Sequence, residues 1–240
     1  MKGPCLSDTL YKSLRLLRLF FRYDVLGGTN LPKGGPSLIV ANHVGSIGPV
    51  MLFFSLPLRF HPWVIADLTD CRRSPAYLYE QFVRPTLHLE GWTGRALAKL
   101  ITTVTVPLLR GLGCIPVELH STWTGAAFRR SLFLLMRDAH IVIFPEDPAL
   151  VMDPETNMYP FKLGFVHLCQ MYRDRTGARL PVVPVAIHPY QRMISVGPPQ
   201  YYQGNGYEEP QVISFATHLY DLVRSLYLQL PSRSRCAAPQ

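Results

Sequence analysis

"IVANHVGSIGP", residues 39–49, carries an apolar run of strand character into Asn42-His43, turns through Gly45, Ser46 and Gly48, and restarts at Pro49. The β-branched run reads as a buried strand and the polar break as its end, while Ser46 and Pro49 are suited to cap and open a helix. From Gly34 to Leu58 the chain carries no Asp, Glu, Lys or Arg, so a hydropathy scan flags a membrane span there. A span needs roughly 20 consecutive apolar residues, and Asn42-His43 and Gly48-Pro49 interrupt this one in its middle. The stretch is therefore read as strand, turn and helix of an α/β fold.

Working outward, short β-rich runs alternate with longer helical segments. Strands are expected at 37–41, 63–66, 114–117, 141–144, 182–187 and 193–196. Helices are expected at 49–56, 76–83, 93–110, 123–137, 161–172 and 215–230. No repeat or low-complexity linker divides them. This order implies a single α/β domain with a mostly parallel or mixed central sheet flanked by helices. The expected organisation is an N-terminal amphipathic helix within 1–26, the α/β domain over 27–200, and a C-terminal helix and tail over 201–240 packed on the same domain. Ligands of such sheets bind beyond the carboxyl ends of the strands. There the sequence places "ANH", "FPED" and "IHP", and with them His43, Glu146 and His188.

The 240 residues carry a net charge of +8, spread thinly, with no recognition-helix, aromatic RNA-binding or zinc-finger pattern, so nucleic acid is not an expected partner. The five cysteines lack zinc spacing and the eight histidines form no ligand array, so no metal is expected. An odd cysteine count without a signal peptide favours a reducing compartment and a cytoplasmic location. Residues 7–23, "SDTLYKSLRLLRLFFRY", set Leu10, Leu14, Leu17 and Phe21 on one helical face and Arg15, Arg18 and Arg22 on the other. That pattern fits the surface of an anionic bilayer and equally a helix packed on the protein's own core.

Five segments, "GTNLPKGGPSLIVANH", "LRGLGCIPVE", "IVIFPED", "YPFKLGF" and "LPVVPVAIHP", occur in an order and spacing that resembles the glycerolipid (lysophosphatidate, or 1-acylglycerol-3-phosphate) acyltransferase family. The resemblance runs from about Gly27 to Pro199. It implies a general base at His43, which removes the proton of an acceptor hydroxyl that then attacks an acyl thioester. It further implies substrate-binding roles for Asn42, Pro145, Glu146 and Lys162. No cofactor is expected beyond acyl-CoA or acyl carrier protein as co-substrate, and a lipid alcohol is the acceptor. The motifs are degenerate: the family's aspartate, five residues after its histidine, is Gly48 here, and Leu119 and Ala149 stand at two arginine positions.

The expected activity is fatty acyl transfer to a hydroxyl of a lysophospholipid or glycerol-type lipid, by a protein peripheral on the cytosolic face of a membrane. Asp67, Asp147 and Glu146 are the candidates for a relocated carboxylate beside His43, with Glu146 preferred as an acceptor contact. Lys162, ahead of Arg129 and Arg130, is the preferred cation for an acceptor phosphate. The alternative is a catalytically impaired or inactive homologue that binds lipid or a partner at the membrane, motivated by Gly48. A serine hydrolase is disfavoured, because Gly45-Ser46-Ile47-Gly48 is one residue short of a nucleophile elbow.

Overall fold

The computed structural model describes residues 21–45, 47–118, 125–204 and 206–229. The expected helix over 7–23 therefore lies almost wholly outside the described residues, as do Leu119 and the Ser46 cap. Strands β1 (Asp24–Leu26) and β2 (Ser37–Ala41) are followed by α1 (Ile47–Ser55) and β3 (Phe60–Ile65). Next come α2 (Ser74–Leu78), a π-turn at Tyr79–Val83, α3 (Arg84–Leu87), α4 (Gly91–Leu112), β4 (Ile115–Val117), α5 (Gly125–Leu135) and β5 (His140–Ile143). The described chain continues with α6 (Gly164–Thr176), β6 (Pro181–His188), β7 (Met193–Val196), β8 (Gln200–Tyr201) and α7 (Glu209–Leu228). The fold is the α/β domain expected, and within it the described residues group into two compact units, one within 61–131 and the other within 21–60 and 132–229.

In the larger unit the strand order is β1-β7-β6-β2-β5, with β8 paired to β6. β2 runs parallel to both β5 and β6, and β1 parallel to β7, whereas β6 turns back antiparallel into β7. Every residue of β2 is buried, as a strand covered on both faces requires, which is why its sequence is a continuous apolar run. Ile39 and Ala41 share a core with Leu52 and Leu56 of α1 and with Val183, Val185 and Ile187 of β6.

The parallel ladder between β2 and β6 ends on a side chain. Beyond Ala41 the backbone turns away, and the Asn42 carboxamide takes its place. Its Oδ1 accepts the Ile187 N–H at 2.7 Å and its Nδ2 donates to the Ile187 carbonyl at 3.0 Å. Asn42 is 2% exposed, so both backbone groups of Ile187 depend on it.

The smaller unit pairs β3 with β4 in parallel, Trp63 opposite Ile115. The crossover between them holds α4, which packs on α2 and on the π-turn through Ala98, Leu97 and Ile101 against Leu78, Tyr79 and Val83. The expected helix over 76–83 is only part of a longer broken one. Pro85 has no N–H for the Gln81 carbonyl, and the chain widens into a π-turn just before it. Gly113, at φ 77°, closes α4 in the left-handed conformation.

Two expected helix starts differ from the structure by three residues or more. α7 opens at Glu209, with Pro210 in its first turn, several residues before the expected 215. α6 opens at Gly164, not 161, because Phe161 is bridged to Glu146 and the Lys162 N–H bonds the Pro145 carbonyl at 2.7 Å. Among the described residues no helix is long and apolar enough to cross a membrane.

Asn42→Ala is expected to lower unfolding free energy by about 2–3 kcal/mol, because it leaves a buried N–H and a buried C=O unpaired. Asn42→Asp keeps an acceptor for the Ile187 N–H but sets a second oxygen against its carbonyl, so it should not rescue the loss at neutral pH. Urea unfolding midpoints of the two variants check this.

Candidate functional site

His43 follows Asn42 at the carboxyl end of β2, so the amide pair with Ile187 fixes where its backbone leaves the sheet. From the neighbouring strand, the loop after β5 brings Glu146, whose Oε1 accepts the His43 backbone N–H at 2.9 Å. The backbone of residue 43 is thereby held from both flanking strands. Its ring is placed by packing: Phe144 meets it edge to face, with centroids 5.4 Å apart.

A cavity of about 120 Å³ opens beside the ring, lined by Asn42, His43, Asn157, Met158, Tyr190 and Tyr227 among others. Thr156, Asn157 and Met158 come from the loop that follows Glu146, and Tyr190 from the turn after β6. Tyr227, near the end of α7, stacks on His188 with centroids 4.5 Å apart. Asn157 holds a left-handed backbone at φ 57°, secured by its N–H to the Asp153 carbonyl at 2.8 Å. Asp153 also accepts the Thr156 hydroxyl at 2.7 Å and is paired with Arg224 of α7, again at 2.7 Å. The cavity wall is thus tied to the C-terminal helix.

The charges in this site are suppressed. His43 keeps an exposed edge, yet the protein around it desolvates the ring enough to lower its pKa from the usual 6.5. Burial pushes the Glu146 carboxyl up to about 7, against the opposing effect of N–H bonds from His43 and Tyr159. Near neutral pH, then, the imidazole is a free base and the carboxyl is close to half protonated.

Of the residues expected at the site, the structure brings Asn42, His43 and Glu146 together. The Asn42 carboxamide is engaged with Ile187 through Oδ1 and one Nδ2 hydrogen, so it positions His43. Pro145 is buried, and its carbonyl accepts the Lys162 N–H. The Lys162 ammonium lies on the exposed side of that loop, 3.5 Å from Asp147. Each candidate carboxylate for the imidazole is engaged elsewhere. Glu146 binds the His43 backbone, Asp147 meets Lys162 and the Ala149 N–H, and Asp67 is paired with Arg73 at 3.0 Å. Among the described residues none hydrogen-bonds the His43 ring. Arg129 and Arg130 are exposed on α5.

The sequence reading missed Thr156, Asn157, Met158, Tyr190 and Tyr227. Only Tyr190 had a local signal, since it follows the strand-ending "IHP". Buried thiols are unreactive, with Cys114 and Cys169 pushed up to about 12 by burial. A larger, open cleft of about 750 Å³ between β8 and α7, lined by Gln200, Tyr202, Phe215 and His218 among others, contains none of the expected site residues.

At Gly48 the structure leaves room for a side chain. A Cβ there would meet Ile187 Cδ1 and Val44 Cβ at 3.6 Å and the Asn42 carbonyl at 3.9 Å, all ordinary contacts, and the backbone is not left-handed.

Comparison of the sequence with protein-family profiles and with curated proteins finds no match. Among solved structures, the fold is similar to the crystal structure of the 1-acyl-sn-glycerophosphate (LPA) acyltransferase PlsC from Thermotoga maritima, with a TM-score of 0.56. The match covers 95% of this chain and 79% of that one at 14% sequence identity, a likeness of fold.

The raised Glu146 pKa makes a testable contribution to stability. A carboxyl at 4.5 when unfolded and about 7 when folded binds more protons in the native state. Its contribution is full below about pH 4.5 and is lost as pH rises through about 7. Glu146→Gln removes that titration, so the variant should gain up to about 3 kcal/mol relative to wild type between about pH 4 and pH 8.5. Urea unfolding across that range checks the slope. A stability difference independent of pH would show that Glu146 titrates normally.

Proposed function

We propose that this protein is an acyltransferase that moves a fatty acyl group from an acyl-CoA or acyl-carrier-protein thioester to a hydroxyl of a lysophospholipid or glycerol-type lipid. The observation that carries the reading is His43: a desolvated, neutral imidazole at the carboxyl end of a buried parallel strand, opening into a cavity, on a fold similar to that of PlsC.

In this mechanism a ring nitrogen of His43 takes the proton of the acceptor hydroxyl as its oxygen bonds to the thioester carbonyl carbon. The tetrahedral intermediate collapses with cleavage of the carbon–sulfur bond. The departing thiolate receives the proton from the imidazolium, which regenerates the neutral base. A depressed pKa suits the first step, because the imidazole is not already protonated at neutral pH. Glu146 fixes the His43 backbone and offers its remaining lone pairs to the acceptor. Asn157 and Tyr227 are among the neutral polar residues that line the cavity.

Lys162 is the cation this reading assigns to an acceptor phosphate, which would compete with Asp147 for the ammonium. The enzyme works peripherally, on the cytosolic face of a membrane, where acceptor and product both reside. Catalysis without the family's aspartate is slower than with it, since an unpaired imidazolium lacks the carboxylate that would stabilise it.

Thiol release from acyl-CoA with mixed lysophospholipid and monoacylglycerol acceptors tests the reading. His43→Ala should reduce turnover by about 10²-fold or more, the usual contribution of a general base. In wild type the acid limb of the pH profile should fall below 6.5, as the lowered histidine pKa requires. Gly48→Asp, for which the Cβ has room, should raise turnover by about tenfold or more and move that limb upward, because a nearby carboxylate favours the imidazolium. Wild-type turnover that survives His43→Ala unchanged would falsify the mechanism.

A further inference from the structure

The helix α4 leaves part of its apolar surface facing water. Its buried residues are small, Gly94, Ala98, Thr102 and Val106, at intervals of four. Leu97 and Ile101 pack against that side, yet three of its large apolar residues point outward: Trp92 is 80% exposed, Leu100 64% and Val104 66%. Exposed Ala96 and Pro107 fall on the same side. At 100° per residue Trp92, Ala96, Leu100, Val104 and Pro107 occupy one arc of about 120°, running about 22 Å along the helix. An ordinary surface helix turns its large apolar side chains inward and its polar ones out. Small residues at the packed face with large apolar residues on the other is the pattern of helices surrounded by lipid.

The small face has its own structural reason. A Cβ at Gly94 would collide with the Leu89 carbonyl and come within 2.8 Å of the Tyr79 ring, so the helix must approach that close. Nothing comparable explains the outward face. Leu87 and Leu89, which lead into the helix, are also exposed.

The charges around the stripe identify what it meets. α4 contains no acidic residue, and its basic residues include Arg95 and Lys99, one turn apart beside the stripe. Arg95 lies over the Tyr79 ring, 5.7 Å from its centroid. The nearest carboxylate in sequence, Glu90, is outside the helix and 3.9 Å from Arg84. A Trp at one end, an apolar stripe and flanking cations match the layered chemistry of a lipid interface, with headgroup phosphates beside acyl chains. A second copy of the chain would set one cationic stripe against another, and this stripe is far narrower than the roughly 20–30 residues a side of a standard protein interface.

We infer that the outward face of α4, from Trp92 to Pro107, is a docking surface for an anionic lipid bilayer. The helix lies in the plane of the interface with Trp92, Leu100 and Val104 below the headgroups and Lys99 among the phosphates. Docking through this surface does not depend on the chemistry of His43.

The test uses the full chain with phosphatidylcholine vesicles, with and without phosphatidylglycerol, and reads binding by sedimentation. Wild type should bind, more tightly when phosphatidylglycerol is present. Leu100→Asp with Val104→Asp should weaken binding by about tenfold or more with the thermal midpoint unchanged, since both positions are exposed. Lys99→Ala should cost about fivefold on the anionic vesicles and little on the neutral ones. Brominated lipid should quench the fluorescence of wild type, and Trp92→Phe should remove most of that quenching. Binding by the double variant equal to wild type, quenching that survives Trp92→Phe, or no binding of wild type overturns the inference. A wild-type dimer that the double variant dissolves also overturns it, in favour of a second copy.

Discussion

The arrangement around His43 depends on one amide pair. Where β2 ends, the Asn42 side chain presents the same donor and acceptor as a peptide group, and it continues the ladder to Ile187 for one more step. A backbone continuation would have kept the chain in the sheet. The side chain lets the backbone turn out while the sheet still sees a partner, so the strand end is buried and satisfied, and the next residue is delivered to its rim. Glu146 repeats the device from the β5 side by accepting the His43 N–H. Two strands that never pair with each other are joined through residues 42 and 43. Both joints rest on strands whose central residues are buried.

Within that frame the electrostatics are unusually quiet. Burial raises Glu146 and lowers His43, and both shifts favour neutral forms. A second carboxylate at position 48 would bring another charge into the neighbourhood of one that already resists ionisation. Glycine there avoids this conflict, but among the described residues it leaves the imidazole oriented by packing on Phe144 and not by a hydrogen bond. Aromatic packing contributes about 0.5–1.5 kcal/mol and fixes the ring plane, whereas a carboxylate would also select the tautomer and stabilise the cation. The missing aspartate therefore bears on the charged stages of a reaction more than on the resting geometry.

The sequence made the central strands legible because burial on both faces leaves a simple signature. β2 and β7 occur where the β-branched runs and their Gly, Pro or Asn boundaries set them, and β5 and β6 within a residue. β1 and β8 were not foreseen. They are three and two residues long, and they exist only through distant partners, Asp24 opposite Met193 and Gln200 opposite Val182. The same division runs through the site. Asn42, His43 and Glu146 sit at strand ends, where position in sequence implies position in space. Asn157 and Tyr227 reach the cavity through a loop and the far end of a helix, and no local pattern marks them. Asn42 shows a further limit: its place was legible, but its engagement with Ile187 becomes visible only when β6 lies beside β2.

For α4 the sequence revealed the helix and concealed its orientation. Gly, Ala and Thr at intervals of four do not stand out beside Trp, Leu, Ile and Val, and a reading by hydrophobicity turns the large side chains inward. What sets the packed face is a steric demand at Gly94, where a Cβ would collide with the Leu89 carbonyl. Once that face is committed to packing, Trp92, Leu100 and Val104 on the other side face outward. Exposing them to water forfeits on the order of 25 cal/mol for each Å² left unburied, and a marginally stable domain does not gain from that. A surface that is unfavourable in water and apolar along one helix is suited to a second medium. A lipid interface supplies that medium, and it is also where the acceptor proposed for His43 would be found.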